Sequence, residues 1–319
     1  MRTFFIFFFC FPVMVFGQNQ FETVEQLFKQ QEFNKAQVIL SNYVAKNPND
    51  KKGLELLGDT YTYLKKWDDA IVPYKKLTEL DSKNANYFYK YGGAMGMKAL
   101  SVNKISALAI IGDVKKSFLK AAELDPKHIG VRWALVELYM QLPGIAGGST
   151  NKSLEYAEEL EKLSPVDGYL AKGFIYEKND EIERAEFYYK KAVRVGGSLV
   201  CYDKLTTLYE KQKQPEKAIA NIEAALQKHE HEMLYYQIGK FAGEYNVELD
   251  KGEQNLTTFL QKYSGPDKTP KAWAHYRLAQ IYKHKSEKGK ALQYIDLAIS
   301  ELPNNKPFED EKEIILNLK

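Results

Sequence analysis

Small, aromatic and apolar residues recur along this chain at spacings that predict pairs of α-helices. Residues 167–197 show the pattern clearly, with Gly173 and Tyr176 on a first helix and Ala185, Tyr189 and Ala192 on a second. Positions three, four or seven residues apart lie on one face of a helix, so each predicted helix has one face suited to packing. Because small residues let two helices approach closely, the pattern predicts hairpins of two packed helices.

The pattern repeats with a period of about 34 residues. Further copies are marked by Leu27, Ala36, Leu40 and Pro48; by Gly58, Tyr61, Ala70, Tyr74 and Leu77; by Tyr209, Ala218, Ile222 and Ala225; by Gly239, Ala242, Gly252 and Phe259; and by Ala279, Tyr282, Ala291, Ile295 and Ala298, followed by Pro303. The interval from Ala36 to Ala70 is 34 residues, and that from Ala185 to Ala218 is 33. A single hairpin has too little core to fold alone, so the repeats are expected to stack on their neighbours.

These repeats resemble the tetratricopeptide-repeat family, specifically its exported bacterial type, over nearly all of residues 18–303. The resemblance implies an all-α fold, a right-handed α-solenoid of about eight helix-turn-helix repeats with a C-terminal capping helix. The repeats are expected near residues 20–48, 51–82, 85–126, 129–165, 166–198, 199–231, 232–266 and 270–303. Residues 304–319 are expected to form the capping helix, with Ile314, Ile315 and Leu318 on its apolar face.

Two segments interrupt the period. Gly92 and Val136 occupy equivalent positions but are 44 residues apart, and the excess lies in residues 98–112, which predict extended helices or an extra turn. Residues 142–150 (LPGIAGGST) form a glycine-rich connection, in which Ser149 or Thr150 is expected to cap the next helix. No Walker-type Lys-Ser/Thr pair follows this loop, which argues against a phosphate site. Together with Asp125-Pro126 and Arg132-Trp133, the loop resembles a stretch of some exported bacterial tetratricopeptide proteins.

The N-terminus predicts export. Residues 4–16 are an almost purely apolar run of 13 residues preceded by Arg2, which fits a signal peptide and is too short to span a bilayer. We therefore expect a signal peptide at residues 1–17, cleavage before Gln18, and a periplasmic or secreted protein without membrane insertion. An uncleaved membrane anchor is the alternative, and Cys10 lacks the small residues before it that a lipoprotein requires.

Composition and charge exclude several functional classes. The 45 basic and 42 acidic residues give a net charge of only +3, which argues against nucleic-acid binding. Of the two cysteines, Cys201 alone remains after cleavage and is expected to be a buried small residue. His229 and His231 are two residues apart, a poor spacing for helical metal ligands, and His275 and His284 have no carboxylate-rich partner segment. We therefore expect no catalytic residues, no metal and no cofactor.

The resemblance implies a non-enzymatic scaffold of the cell envelope that binds a protein or peptide partner on the concave face of the superhelix. Projecting the pattern onto that face gives the candidate binding residues Tyr89, Trp133, Glu137, Phe174, Tyr236, Trp273 and Tyr276. Positions that bind a peptide C-terminus in carboxylate-clamp domains read Asp59, Gly93, Glu137, Phe174, Thr207, Lys240 and Gln280, with no asparagine. The alternative is an enzyme or ligand-processing subunit with a pocket formed by Gly144–Gly148 and residues 98–112.

Overall fold

The structure is a computed structural model and describes residues 15–265 and 269–318. These residues form seventeen α-helices and one short 3-10 helix, with no β-strand among them. The all-helical prediction is therefore confirmed. Most of the predicted signal peptide, residues 1–14, lies outside the described residues.

The helices follow one another with short connections. In chain order they are α1 Val15–Lys29, α2 Phe33–Lys46, α3 Lys51–Tyr63, α4 Trp67–Leu80, α5 Ala85–Ser101, α6 Lys104–Leu124, α7 Ile129–Gln141, α8 Thr150–Leu163, α9 Pro165–Lys178, α10 Ile182–Val195, α11 Leu199–Lys211, α12 Pro215–Leu226, α13 Glu232–Tyr245, α14 Leu249–Lys262, α15 Lys271–His284, α16 Lys288–Glu301 and α17 Lys306–Leu316. The short 3-10 helix is Gly144–Ala146, between α7 and α8.

The chain divides into two compact units, unit 1 up to Leu163 and unit 2 from Ser164. Within each unit every helix packs against the next one along the chain, so helices pair into hairpins. The first helices of neighbouring hairpins also contact each other, as α5 and α7 do in unit 1, and α9 with α11 and α13 with α15 in unit 2. One face of each unit is therefore formed by first helices.

Glycines of the first helices face large side chains of the second helices. A Cβ atom on Gly58 would overlap the ring of Tyr74, and one on Gly173 would overlap the ring of Tyr189. Gly92 meets Phe118 in the same way, although 26 residues separate them rather than 16. The ten extra residues therefore lie between these two packing positions.

Those extra residues lengthen two helices. Helix α5 has 17 residues and α6 has 21, and only Val102 and Asn103 separate them. Asn103 caps α6, because its side-chain oxygen accepts hydrogen bonds from the backbone N–H groups of Ile105 and Ser106 at 3.1 and 3.0 Å. Of the two alternatives for residues 98–112, extended helices are confirmed.

Five of the turns inside the hairpins are closely similar. Each of these five has one residue with positive φ, and the next residue donates a backbone hydrogen bond to the carbonyl five positions earlier, as Lys66 does to Tyr61 and Glu181 to Tyr176. The residues with positive φ in these turns are Gln31, Lys65, Asp180, Lys213 and Ser286. The bond satisfies a carbonyl at the end of the first helix, which the helix itself leaves without a partner.

Helix α17 packs against α15 and α16 at the end of unit 2. Phe308 and Ile315 are fully buried there, and Leu318 packs against the same core. The expectation for Ile314 was wrong, because this side chain is 51% exposed. Phe308 and Ile315 are seven residues, or two helical turns, apart and therefore lie on the same buried face of α17. Ile314 is rotated away from that face by one residue. No helix among residues 15–265 and 269–318 is long and apolar enough to cross a membrane.

Candidate functional site

Unit 1 contains an open groove of about 940 Å³ that is lined by residues of both first and second helices. Its lining side chains come from the end of α3, from α4, α5, α6 and α7, and from the loop after α7. Both interruptions of the repeat period contribute, residues 98–112 through Leu100 and Leu108, and the glycine-rich loop through Pro143 and Ile145. We call this cavity the unit 1 groove.

The long wall of the groove is one face of α6. Lys104, Ala107, Leu108, Ile111, Val114 and Phe118 line it. Apart from the adjacent Ala107 and Leu108, these positions are three or four residues apart, and they cover about four helical turns, or about 21 Å along the helix. The C-terminal turns of this face are buried, since Val114 is 0% and Phe118 5% exposed, whereas Leu108, nearer the N-terminus of α6, is half exposed.

The rim of the groove exposes large apolar side chains. Ile145 is 97% exposed and Leu100 near the end of α5 is 65% exposed, and Ile105 at the start of α6, outside the groove lining, is 83% exposed. The first turns of α6, KISALAIIG, have apolar residues on every side. A helix that is apolar all round is normally buried, so this exposed end of the α5–α6 hairpin has the character of an interaction surface.

The glycine-rich loop is held in place by its own backbone. Pro143 accepts hydrogen bonds from the N–H groups of Ala146 and Gly148 at 2.9 and 3.1 Å, and Tyr139 accepts one from Ser149 at 3.0 Å. Gly147 has a φ of 88°, which favours glycine, and a Cβ atom on Gly148 would overlap the carbonyl of Leu142. The N–H groups of residues 146–149 are therefore engaged and not free to bind a phosphate.

The prediction that Ser149 or Thr150 caps the next helix is confirmed for Ser149. Its hydroxyl oxygen accepts a hydrogen bond from the backbone N–H of Lys152 at 3.3 Å at the start of α8. The loop thus ends at a capped helix and presents Ile145 at its outer turn.

The polar groups at one end of the groove are paired with each other. Lys90 donates hydrogen bonds to both carboxylate oxygens of Asp59 at 2.7 and 2.9 Å and forms an ion pair with Glu55 at 2.7 Å. Tyr74 donates its phenolic hydrogen to Asp59 at 2.6 Å. The charges of Lys90, Asp59 and Glu55 therefore compensate one another within the protein.

The pKa values of these groups argue against acid–base chemistry. Burial lowers the pKa of Lys90, but the hydrogen bonds and charges of Asp59 and Glu55 outweigh it, so the pKa lies above its ordinary value. Burial, and then the negative charge of Asp59, raises the pKa of Tyr74. Both groups stay protonated near neutral pH, so neither is suited to act as a general base.

Similar ion pairs connect successive first helices in unit 2. Lysine and carboxylate lie 2.5 Å apart in Lys211–Glu177, which joins α11 to α9, and 2.6 Å apart in Lys240–Glu210, which joins α13 to α11. The partners are about one repeat apart in sequence and lie on neighbouring hairpins. Many charges on this face are therefore already compensated within the protein.

The structure brings together two of the candidate residues predicted in unit 1. Tyr89 and Glu137 both line the unit 1 groove, together with Asp59 and Gly93 from the clamp positions. The Tyr89 ring is also packed against His128, with ring centroids 4.9 Å apart. Trp133 is half buried on α7 and is not among the lining residues.

The candidate residues in unit 2 lie within its own packing. Tyr236 is buried against Phe259, with centroids 5.5 Å apart. Trp273 and Tyr276 pack against Phe308 of α17, at 4.8 and 5.0 Å between centroids. Phe174 is half buried on α9, with the Lys178 ammonium 5.8 Å from its ring centroid.

Histidines and the cysteine have structural surroundings. Cys201 is fully buried, as expected. His229 and His284 are half buried and hydrogen-bonded to the carbonyls of Gly197 and Gly243, at 2.6 and 3.1 Å, rather than solvated. These carbonyls lie near the ends of earlier helices, which explains why a ring nitrogen is needed there. Within residues 15–265 and 269–318, no group of three or more potential ligand side chains converges as a metal site requires.

Comparison with known proteins supports the fold. A family model described as tetratricopeptide repeat matches residues 166–195, which comprise most of α9 and all of α10. The crystal structure of yeast Tom70 is similar with a TM-score of 0.57 at 13% identity, over 90% of this chain and 57% of Tom70. A tetratricopeptide repeat protein from Parabacteroides merdae ATCC 43184 gives 0.49 at 13% identity, over 94% of this chain and 98% of that protein. No curated protein matches the sequence.

The described chain therefore has the all-helical fold of tetratricopeptide-repeat proteins, a stack of helix-turn-helix hairpins. Proteins of this class are generally non-enzymatic scaffolds that bind proteins or peptides on the surfaces of their repeats. Residues 166–195 carry the repeat that the family model recognises.

Proposed function

We propose that the protein is a non-enzymatic scaffold for protein–protein interaction and that its polypeptide partner binds in the unit 1 groove. The observation that supports this most strongly is the exposure of Ile145, Leu100 and Leu108 around a groove with an apolar floor. Burying such side chains contributes about 25 cal/mol per Å² of apolar surface. Of the candidate residues predicted for the concave face, Tyr89 and Glu137 line this groove.

We propose further that this scaffold acts in the cell envelope. The support is the apolar run at residues 4–16, which has the length and composition of a signal peptide. Export to the periplasm or the medium follows if the run is cleaved. N-terminal sequencing of the protein from its source cell tests this, and a mature chain that begins at Met1 contradicts it.

A ligand-processing role for the same groove is the second candidate, since the loop and the α5–α6 hairpin meet there. The pairing of Asp59 with Lys90 and the raised pKa of Tyr74 favour binding over chemistry. A partner polypeptide would also bury the exposed apolar side chains of the rim. A small ligand inside the groove would leave those side chains in water.

Site-specific photo-crosslinking in the source cell tests the scaffold proposal. A photoreactive phenylalanine analogue at position 145 is expected to give an adduct that protease digestion and mass spectrometry identify as a polypeptide. Position 72 is the matched control, because Val72 is also exposed in unit 1, at 68%, and does not line the groove. Adducts of equal yield at both positions, or none at 145, contradict the proposal.

A further inference from the structure

We propose that the partner segment in the unit 1 groove is an amphipathic α-helix with acidic residues beside its apolar face. This inference rests on the proposed function and specifies the chemistry of the partner. Three features carry it: the backbone of the groove walls, the shape of the α6 face, and the lysines of the α5–α6 hairpin.

The walls offer a partner few free backbone groups. The walls are helices, whose interior N–H and C=O groups bond within each helix, and the N–H groups of loop residues 146–149 are bonded locally. An extended peptide against the apolar side chains would bury its own N–H and C=O groups without partners, at about 1–3 kcal/mol each. A helix satisfies those groups internally, so it is the conformation that the groove accepts at lowest cost.

The α6 face matches a helix in length and periodicity. Its lining positions run from Lys104 to Phe118, mostly with spacings of three and four residues, over about 21 Å. A helix of about 14 residues has that length, and apolar residues at every third or fourth position would lie against this face. Ile145 on the loop and Leu100 on α5 line the same groove.

The charge of this surface favours an acidic partner. Residues 97–120 contain five lysines and a single acidic residue, Asp113, whereas the whole chain has a net charge of only +3. Lys98 pairs with Asp68, and Lys120 pairs with Glu123 at 3.0 Å.

One further lysine of this hairpin lines the groove and another lies beside the adjoining loop. Lys104 is the lining residue, and the Lys115 ammonium, which is not in the lining, lies 5.3 Å from the Tyr139 ring centroid and next to Gly147. No carboxylate of the described chain forms an ion pair with either of them. Glu137 lines the wall formed by α7, so the acidic residues of the partner are expected on the side of α6.

The concave shape of the groove favours a helical polypeptide over a lipid surface as the partner. A bilayer is flat over the dimensions of the groove, so it would touch Leu100 and Ile145 on the rim and leave the floor around Ile111 and Phe118 unfilled. A helix fills both the rim and the floor. We therefore argue for a polypeptide, and binding to vesicles becomes an outcome of the test.

Fluorescence anisotropy with synthetic helical peptides tests the inference on the full chain. The probes are three labelled 16-residue peptides: one with leucines on one helical face and glutamates on the other, one with lysines replacing the glutamates, and a scrambled form of the acidic peptide. We expect the acidic amphipathic peptide to bind about tenfold more tightly than either of the others. We also expect this preference to decrease as salt is raised.

Charge-reversal variants test whether the preference for the acidic peptide arises at the unit 1 groove. Lys104→Glu combined with Lys115→Glu is expected to weaken binding of the acidic peptide by about tenfold, because repulsion replaces attraction at the rim. Lys46→Glu combined with Lys75→Glu changes the net charge equally, at two exposed lysines of unit 1 that do not line the groove, and is expected to leave binding nearly unchanged. Equal loss in both variants overturns the assignment to the groove.

The remaining outcomes separate this inference from the proposed function. Equal binding of the acidic and basic peptides overturns the charge assignment, and equal binding of the scrambled peptide overturns the helical one. Binding of phosphatidylglycerol vesicles that Leu108→Asp abolishes, with no peptide binding, identifies a membrane surface and overturns the inference. If no peptide binds but crosslinking at position 145 still yields a polypeptide, the inference fails and the proposed function stands.

Discussion

Gly58 on α3 lies directly against the phenol ring of Tyr74 on α4: a Cβ atom at position 58 would be 2.5 Å from Cε1 of that ring. Tyr74 is only 3% exposed, and its hydroxyl is fixed by the hydrogen bond to Asp59. The ring therefore has little freedom to move away from an added methyl group. The close approach of the two helices depends on the glycine at this position.

We predict that Gly58→Ala destabilises the protein. Overpacking against the fixed ring costs about 2–3 kcal/mol, which exceeds the gain of about 1 kcal/mol in helix propensity, so the free energy of unfolding should decrease by about 1–2 kcal/mol. Urea denaturation followed by circular dichroism measures it. Gly112→Ala is the control, because nothing lies within 4 Å of its added Cβ. Equal midpoints for the two variants would show that the ring relaxes freely.

The repeat fold could be predicted because such packing constraints recur in the sequence. Gly58 with Tyr74 and Gly173 with Tyr189 have the same separation, and this periodicity identified the hairpins. The form of the insertion could not be predicted from the period, because a ten-residue excess fits either longer helices or an extra turn. The outcome depended on local chemistry, namely the cap that Asn103 provides to α6.

We predict that the free energy of unfolding decreases at alkaline pH, because tyrosines are buried inside the hairpins. Burial, together with a hydrogen bond to Glu177 at 2.7 Å, raises the pKa of Tyr189 well above its ordinary value of 10.0. The folded protein holds the phenolic proton more tightly than the unfolded chain. The resulting stabilisation is complete below pH 10 and is lost as the pH rises from there toward the pKa of the folded state.

Ultraviolet titration of tyrosinate measures this effect together with the unfolding transition. We expect ionisation of the buried tyrosines to coincide with unfolding, and Tyr189→Phe to make stability less dependent on pH above 10. Tyr63→Phe is the control, since Tyr63 is 58% exposed. Equal pH dependence in both variants contradicts the assignment of the shift to Tyr189.

A buried ion pair attaches α17 to α15. Glu311 is 5% exposed and lies 2.7 Å from the ammonium of Lys283, which is also largely buried. Removal of one partner leaves the other charge buried and uncompensated, so we expect Glu311→Ala to cost about 3 kcal/mol and to release α17. Hydrogen exchange measured by mass spectrometry should show faster exchange in Lys306–Leu316.

The same helix contains a suitable control. Lys306 and Asp310 form an exposed pair at 2.8 Å, and loss of such a pair has little effect on stability. Asp310→Ala should therefore leave hydrogen exchange in α17 nearly unchanged. If it accelerates exchange as much as Glu311→Ala, general loss of negative charge rather than burial is responsible.

The candidate site was only partly predictable, for a physical reason. Tyr89 and Glu137 were found by projecting the repeat pattern onto the first-helix face, and both line the groove. Leu108 and Ile145 were not among the candidate binding residues because they lie in the two segments that break the period, where no repeat position could be assigned. Those segments were predicted only as the pocket of the alternative, a ligand-processing subunit. The signal that could have identified them is the lack of any polar face in residues 104–112.

Trp273 provides the clearest distinction between a structural and a binding role for the predicted aromatic set. Its ring contacts Phe308, which is fully buried, so we expect Phe308→Ala to cost about 3–5 kcal/mol and to expose Trp273 to water. In a background with Trp67→Phe and Trp133→Phe, Trp273 is the remaining tryptophan and its emission should shift to longer wavelength. Phe187→Ala is the control, because Phe187 is 52% exposed on α10, and it should change neither stability nor emission.

The effect of Trp273→Ala itself then decides between the two roles. A residue that packs against α17 should, when truncated, lower stability without weakening partner binding in the unit 1 groove. A residue that anchors a partner should lower affinity at unchanged stability, because its contacts form only in the complex. Since Trp273 and Tyr276 both contact Phe308, we expect the first result, a lower unfolding midpoint with unchanged crosslinking from position 145.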